Sequence, residues 1–307
     1  MPRASIIIPT FNRPDLLPRA VDSARVAGTD VEIIVVDDAS VDNTSAICKK
    51  ITGIKYIRLE TNLGVAGARN AGILASRADY IAFLDDDDLR LPGSIDLQSS
   101  VLDANNDVGF VCGAMLMANQ DYSLNGQSFV PPVGKGDRFW ELLELDFPVM
   151  PLSVLIRKEC FARVGLLNAR LRGIDDWDIL VRIAELYPVM VLEDPVGIYR
   201  YPTPASGQGS SSQASQLSKA LVHQRQLFHL PRVKSATSSQ RKNVRRRTVN
   251  RVADTLLWNA PQLLRAKEFM SAGTNIFTAL RLNPLRAIRP RALRKLEQIL
   301  VGPRELD

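Results

Sequence analysis

The sequence predicts an α/β fold: a mostly parallel central sheet flanked by helices, followed by a C-terminal helical tail. Three observations predict it. Strand-like runs recur at residues 5–8, 31–36, 54–59 and 80–84, with helical patterns between them. These runs are nearly continuous in apolar residues or alternate, as expected of strands covered on both faces. Three of them end in polar clusters, Pro9-Thr10-Phe11-Asn12, Asp37-Asp38 and Asp85-Asp86-Asp87-Asp88. In such sheets ligands bind beyond the carboxyl ends of the strands.

The elements follow in order. Residues 5–8 form a β-branched strand stopped by Pro9. Pro14 suits a first helical turn, and Leu16, Leu17, Ala20, Val21 and Ala24 recur at helical spacing before Gly28. The strand 31–36 leads into Asp37-Asp38, and Asp42, Asn43 and Thr44 offer caps for a short helix through Lys50. Residues 54–59 alternate as a strand, 65–75 read as a helix of small residues, and 80–84 form the strand before the four carboxylates. A further helix starts near Pro92 and runs to about Asp103. The stretch 115–149, rich in Gly, Asn and Pro, gives no clear period, and 154–156 reads as another strand. Ile179, Leu180 and Ile183 give the stretch after Gly173 an apolar helical face, with Asp175 and Asp176 at its start. Residues 203–218 are rich in Ser, Gln and Gly and read as a loop. Helical patterns follow at 216–227, 249–264 and 292–300.

The four adjacent carboxylates repel one another, and each resists desolvation. They suit either a solvated acidic loop or a site where a hard divalent cation meets substrate phosphates, since Mg2+ takes only one or two protein carboxylates. Asp175 and Asp176 likewise read either as acids favoured by a helix N-terminus or as a functional pair. Cys48, Cys112 and Cys160 are far apart and lack metal-ligand spacing, which suggests reduced thiols and a cytoplasmic setting. No secretory signal is visible, and the longest apolar run, residues 108–118, is too short to span a bilayer.

Charge divides the chain. From residue 230 to 307 there are 17 Lys and Arg against 5 Asp and Glu, whereas the rest is acidic by 6 charges. The basic residues stand beside Leu256, Leu257, Trp258, Leu263, Leu264, Ile276 and Phe277. This pattern suits a helical segment lying on an anionic membrane surface, or a solvated appendage that packs on protein. Several chemistries are excluded. No G-x-G-x-x-G follows the first strand, no phosphate-binding G-x-x-x-x-G-K-[ST] occurs, and no G-x-S-x-G elbow exists. The two histidines, His223 and His229, both lie in the tail, which argues against a histidine-based triad. Carboxylates, a metal and arginines remain, and they fit metal-assisted group transfer from a diphosphate.

The chain resembles the family 2 glycosyltransferases of the GT-A fold, with its Rossmann-like sheet. Five motifs carry the resemblance in order: Ser5 to Arg13; Val35-Val36-Asp37-Asp38-Ala39-Ser40 with Asp42-Asn43-Thr44; Asn62 to Asn70; Phe83 to Asp88 with Pro92; and Asp175-Asp176-Trp177-Asp178. They cover about residues 4–200. The resemblance implies an inverting transfer of one sugar from a nucleotide-diphosphate sugar, a UDP- or dTDP-sugar, to a hydroxyl of a glycan or lipid-linked acceptor, with Mg2+ or Mn2+ as cofactor. It implies nucleotide contacts at Pro9, Thr10, Asn12, Asp38, Arg69, Asp85 and Asp86, with Asp38 facing the base and Asp85 near the ribose. It further implies a metal ligand in Asp87, the catalytic base in Asp176, and acceptor-side residues Asp175, Trp177 and Arg200. Asp175 stands where the family usually has Glu, and Tyr201-Pro202 stands where a His often follows the Tyr-Arg pair. The Q-x-x-R-W motif of processive synthases is absent, which argues for single-sugar transfer. The expected domains are a transferase domain over 1–214, with its nucleotide half at 1–115 and acceptor half at 116–214, and a basic extension over 215–307. The expected setting is surface polysaccharide or lipid-linked glycan synthesis in the cytoplasm or on the inner membrane face, with no nucleic-acid partner. The alternatives are a non-catalytic GT-A-like binding protein and a basic-tailed nucleic-acid binder.

Overall fold

A computed structural model describes residues 1–147, 149–201 and 213–287. The chain divides into two compact units, one of residues 1–142 and 147–208, the other of 143–146 and 209–307. The first begins with β1 (Ala4–Thr10), α1 (Leu17–Arg25), β2 (Val31–Asp37), α2 (Thr44–Lys50), β3 (Lys55–Arg58), α3 (Gly64–Ala75) and β4 (Tyr80–Phe83). Then come β5 (Leu89–Arg90), α4 (Ser94–Ala104), β6 (Phe110–Ala118), β7 (Leu124–Phe129), β8 (Gly134–Gly136) and α5 (Phe139–Leu143). A 3-10 turn (Pro151–Ser153), β9 (Val154–Arg157), α6 (Lys158–Val164), α7 (Asp175–Leu186) and β10 (Val189–Arg200) follow.

The strands form one sheet in the order β3-β2-β1-β4-β9-β6-β10-β5, with β7 on β6 and β8 on β10. Strands β3, β2, β1 and β4 run parallel. Strand β9 is antiparallel to both β4 and β6, and β6 is parallel to β10. Two reversals cancel, so β1, β2, β4, β6 and β10 all finish at one edge. All residues of β1 and β4 are buried, which explains their unbroken apolar runs. The stretch 115–149 that gave no clear period holds the end of β6, then β7, β8 and α5; the polar, partly exposed residues of β7 conceal its period. Cys48, Cys112 and Cys160 are all buried free thiols.

One helix packs too closely for a larger residue. A Cβ on Gly72 in α3 would meet Ile7 Cγ2 of β1 at 2.4 Å. Gly72→Ala is therefore expected to destabilise the chain by about 1–3 kcal/mol, because overpacking outweighs the helix propensity gained. A denaturation midpoint equal to or above the parent's would contradict that packing.

The second unit holds α8 (Gln213–Leu227), α9 (Pro231–Ser235), α10 (Ser238–Arg265), α11 (Phe269–Leu282) and α12 (Pro284–Ala287). Two sequence expectations are corrected here. Residues 213–218 belong to α8 rather than to a loop, because Ala214, Leu217 and Leu221 supply an apolar stripe that packs on Val252, Ala253 and Leu256. Helix α10 starts eleven residues before the expected 249, at a Thr237–Gln240 capping box, and buries Val244 and Thr248 among its arginines. Residues 203–212 of the expected loop and the helix expected at 292–300 lie outside the described residues.

Candidate active site at the carboxyl edge of the sheet

Each polar strand end carries part of the site. At the tip of β1, Thr10 donates its hydroxyl to Asp86 Oδ2 at 2.8 Å, and Pro9 is buried beside it. Asn12 takes a positive φ of 54°. Its Oδ1 accepts from Val41 N–H, and its own N–H donates to Ser40 Oγ, so it ties the loop after β1 to the loop after β2. Asp37 is buried and accepts from Tyr56, Arg58 and the Ser40 N–H. Asp38 accepts from the backbone N–H groups of Leu63 at 2.7 Å and Gly64 at 2.8 Å. These are orphan donors at the positive end of α3, a favourable place for a carboxylate. Two oxygens offer about four acceptor positions, which leaves capacity for a further donor.

The run after β4 is not uniformly solvated. Asp86 and Asp88 are buried, while the side chains of Asp85 and Asp87 keep 26% and 16% of their exposure. Burial pushes the Asp86 carboxyl up to about 6, opposed by the Arg13 charge and reinforced by Asp87. Burial, and then the Asp85 charge, push Asp88 well above the usual carboxylate range, although it accepts from Arg200 N–H at 2.9 Å. Arg13 spans the cluster: its Nη1 lies 2.7 Å from Asp86 Oδ1 and 3.3 Å from Asp87 Oδ2.

Arg69 joins this edge to α7. Its guanidinium is buried, with Nη2 2.7 Å from Asp85 Oδ1 and Nη1 3.4 Å from Asp175 Oδ2, and it lies over the Phe83 ring. Removing such a charge from water is costly unless it is paired, and these acids pair it. Its Nε is buried with no hydrogen-bond partner among the described residues. Asp175 and Asp176 are the first residues of α7, and neither makes a side-chain cap bond from the N-cap position, which Ile174 holds. Burial pushes Asp175 up to about 6, with Arg69 opposing and Asp176 adding. Burial also raises Asp176, again against the Arg69 charge. Asp176 Oδ1 accepts the Trp177 N–H at 2.8 Å, and the Trp177 indole donates to the Leu142 carbonyl at 2.7 Å.

At the end of β10, Arg200 donates Nε to the Gln120 carbonyl at 2.7 Å and stacks over Tyr122, whose other neighbour is the Arg19 guanidinium at 4.4 Å. The predicted residues therefore gather at one edge: Thr10, Asp38, Arg69, Asp85 to Asp87, Asp175, Asp176 and Arg200. Sequence reasoning named no role for Arg13, Asp88 or Tyr122. Arg13 closes the first motif and Asp88 ends the acidic run, so both carried a signal; Tyr122 sits in the stretch without a period and carried none.

The donors suit a hard cation. Among the described residues no three His, Cys, Asp or Glu side chains are grouped to hold a metal. Asp85 and Asp87 nevertheless offer partly exposed carboxylate oxygens, and Mg2+ typically needs only one or two of these beside substrate phosphates.

The comparisons with known proteins come to the same region. The family described as Glycosyl transferase family 2 matches residues 5–160. An uncharacterized glycosyltransferase of Haemophilus influenzae is 30% identical over 184 residues, which cover 59% of this chain and 62% of the relative. The poly(ribitol-phosphate) beta-N-acetylglucosaminyltransferase TarP of Staphylococcus aureus is 41% identical over 96 residues, covering 29% of each chain. The chain thus spans about three fifths of the length of the first of these relatives. The crystal structure of S. aureus TarS residues 1–349 superposes with a TM-score of 0.61 at 16% identity, over 99% of this chain and 93% of that one. The same TarS fragment has been solved with UDP-GlcNAc, and that structure matches with a TM-score of 0.59. The likeness shows the fold, a GT-A sheet flanked by helices with further helices after it.

Proposed function

This chain belongs to glycosyl transferase family 2, and we propose that it moves one sugar from a nucleotide-diphosphate sugar to an acceptor hydroxyl, inverting the anomeric centre. One observation carries this reading: the buried Arg69 guanidinium holds Asp85, from the strand end expected to meet the donor, and Asp175, next to the proposed base, on opposite nitrogens. A donor bound along Asp38 and Asp85 would then have Asp176 close to its sugar end.

The roles follow from the chemistry. Asp38 faces the base and accepts from it with its remaining lone pairs. Thr10 and Arg13 hold Asp86 in place, and Arg13 brings a positive charge to the acidic edge. Mg2+ or Mn2+ held by Asp87, with Asp85, would offset the negative charge that grows on the diphosphate as it leaves. Asp176 takes the proton from the acceptor hydroxyl as that oxygen attacks. Burial raises its pKa against the Arg69 charge, which makes its carboxylate a stronger base than that of an exposed aspartate.

A UDP- or dTDP-sugar is the proposed donor, supported by the UDP-GlcNAc named with the TarS structure. A surface polysaccharide or lipid-linked glycan is the proposed acceptor, supported by the polymer named for TarP and by a tail suited to the inner membrane face. Incubating the full chain with a panel of UDP-, dTDP- and GDP-sugars and Mn2+ tests the reading. One donor class should be hydrolysed, and NMR should show the released sugar first in the anomeric configuration opposite to the donor's. Retained configuration would overturn the one-step displacement; no turnover and no nucleotide binding would overturn the transferase reading.

A further inference from the structure

We propose that the outer face of α11 is a docking surface for anionic lipid; only the idea that it brings the chain to a lipid-linked acceptor rests on the transferase reading. Helix α11 is packed inside out. Its buried residues are Ala272, Asn275 and Ala279, two small side chains and an amide. Leu282 packs on the core and Ile276 is half-buried, but four large apolar side chains face outward: Phe269 is 66% exposed, Met270 89%, Phe277 68% and Leu280 40%. A helix that simply covers a core in water does the reverse. Phe269, Ile276, Phe277 and Leu280 recur at helical spacing, so these groups form one stripe, with Met270 at its margin. Leu285, 73% exposed, extends the apolar surface into α12.

The charge around the stripe selects the occupant. Residues 213–287 hold 14 Lys and Arg against 2 Asp and Glu. Between Asp254 and Ala287 the one acid is Glu268, while Arg265, Lys267 and Arg281 flank the two ends of α11. A second copy of this unit would bring a like charge against it. An anionic lipid surface instead brings opposite charge to the rim and an apolar layer to the stripe, which is the arrangement of an interfacial helix. Among the described residues no helix is long and apolar enough to cross a membrane, so α11 would lie on the surface.

Flotation of the full chain with vesicles of phosphatidylcholine alone, or of phosphatidylcholine with phosphatidylglycerol, at low and high salt, tests the proposal. The parent should float with the anionic vesicles only. High salt should weaken binding and leave a remainder, because the rim charges are screened and the apolar stripe is not. The double variant Phe269→Ser/Phe277→Ser should bind anionic vesicles roughly 100-fold more weakly, about tenfold for each lost ring. Its thermal midpoint should match the parent's, since both rings are exposed. The variant Arg265→Gln/Lys267→Gln/Arg281→Gln should lose the salt-sensitive part. Equal binding to both lipids, binding to neither, or anionic binding untouched by the two serines would overturn the proposal. So would a dimer in sedimentation that the two serines abolish. Donor hydrolysis measured without vesicles should be the same in parent and serine variant. Its absence from both, with flotation as expected, would sink the transferase reading and leave the docking face standing.

Discussion

Asp176→Asn is expected to lower turnover by on the order of 100-fold to 10,000-fold while nucleotide affinity stays near the parent's, the usual scale of a lost general base. The substitution keeps the shape of the side chain and the acceptor oxygen that meets the Trp177 N–H. It removes the capacity to take a proton together with the negative charge that faces Arg69. Near-parental turnover would return Asp176 to the role of an acid favoured by a helix N-terminus. The pH profile makes a second, independent demand. Asp175 and Asp176 both sit above the ordinary carboxylate value because burial disfavours their charged forms. A base works only when ionised, so activity should rise with pH through this raised range and level off above it. The pair shares its protons, so the apparent value belongs to both residues. Stability moves the other way. A carboxylate whose folded pKa is raised binds more protons folded than unfolded, so its cost to the fold is present above the folded pKa and is relieved as pH falls through it. For Asp175 that window lies between its ordinary value of 3.8 and about 6. Activity should therefore fall at the acid side before these two groups cause any unfolding. An acid limb that coincides with loss of the folded signal would contradict this.

Much of the first unit was legible in the sequence for a definite reason. Strands β1, β2 and β4 are buried on both faces, so they read as nearly unbroken apolar runs, and the abrupt polar clusters at their tips, carboxylates after β2 and β4, mark the edge where solvent begins. The joining of those tips was not legible. Arg69 reaches Asp175 across 106 positions. That contact depends on β9 entering antiparallel between β4 and β6, which turns the second half of the sheet so that α7 starts near the acidic edge. No local period encodes such a reversal. The meeting of Arg200 with Tyr122 was hidden for the same reason, since the turn after β6 is positioned by its pairing with β10. In the second unit, charge and apolar content were visible, but not which residues face outward. Helix α11 was not anticipated at all: it violates the usual inside-outside rule, so its apolar residues give no core-facing pattern to read.

Asp87→Asn should abolish transfer and remove the metal-dependent part of nucleotide binding, while metal-free binding through Asp38 and Thr10 persists. The geometry separates this change from a folding defect. Arg13 keeps its 2.7 Å contact with Asp86, and Thr10 keeps its hydrogen bond to the same carboxylate, whatever stands at position 87. What is lost is one partly exposed charged oxygen at a site with few protein ligands. Substitutions in the outer shell of metal sites cost about 10- to 100-fold, so a direct ligand should cost at least about 100-fold in metal affinity or activity. Calorimetry with UDP and dTDP, with and without Mn2+, reads this directly. The parent should bind nucleotide more tightly when Mn2+ is present, and the variant should bind it equally with and without the ion. Asp86→Asn is the informative contrast. Asp86 is buried against Thr10 and Arg13, so its loss should lower the thermal midpoint and loosen the whole acidic edge. A variant at Asp87 that binds nucleotide and Mn2+ like the parent would move the metal to another group and leave Asp87 a structural role that includes its ion pair with Arg13.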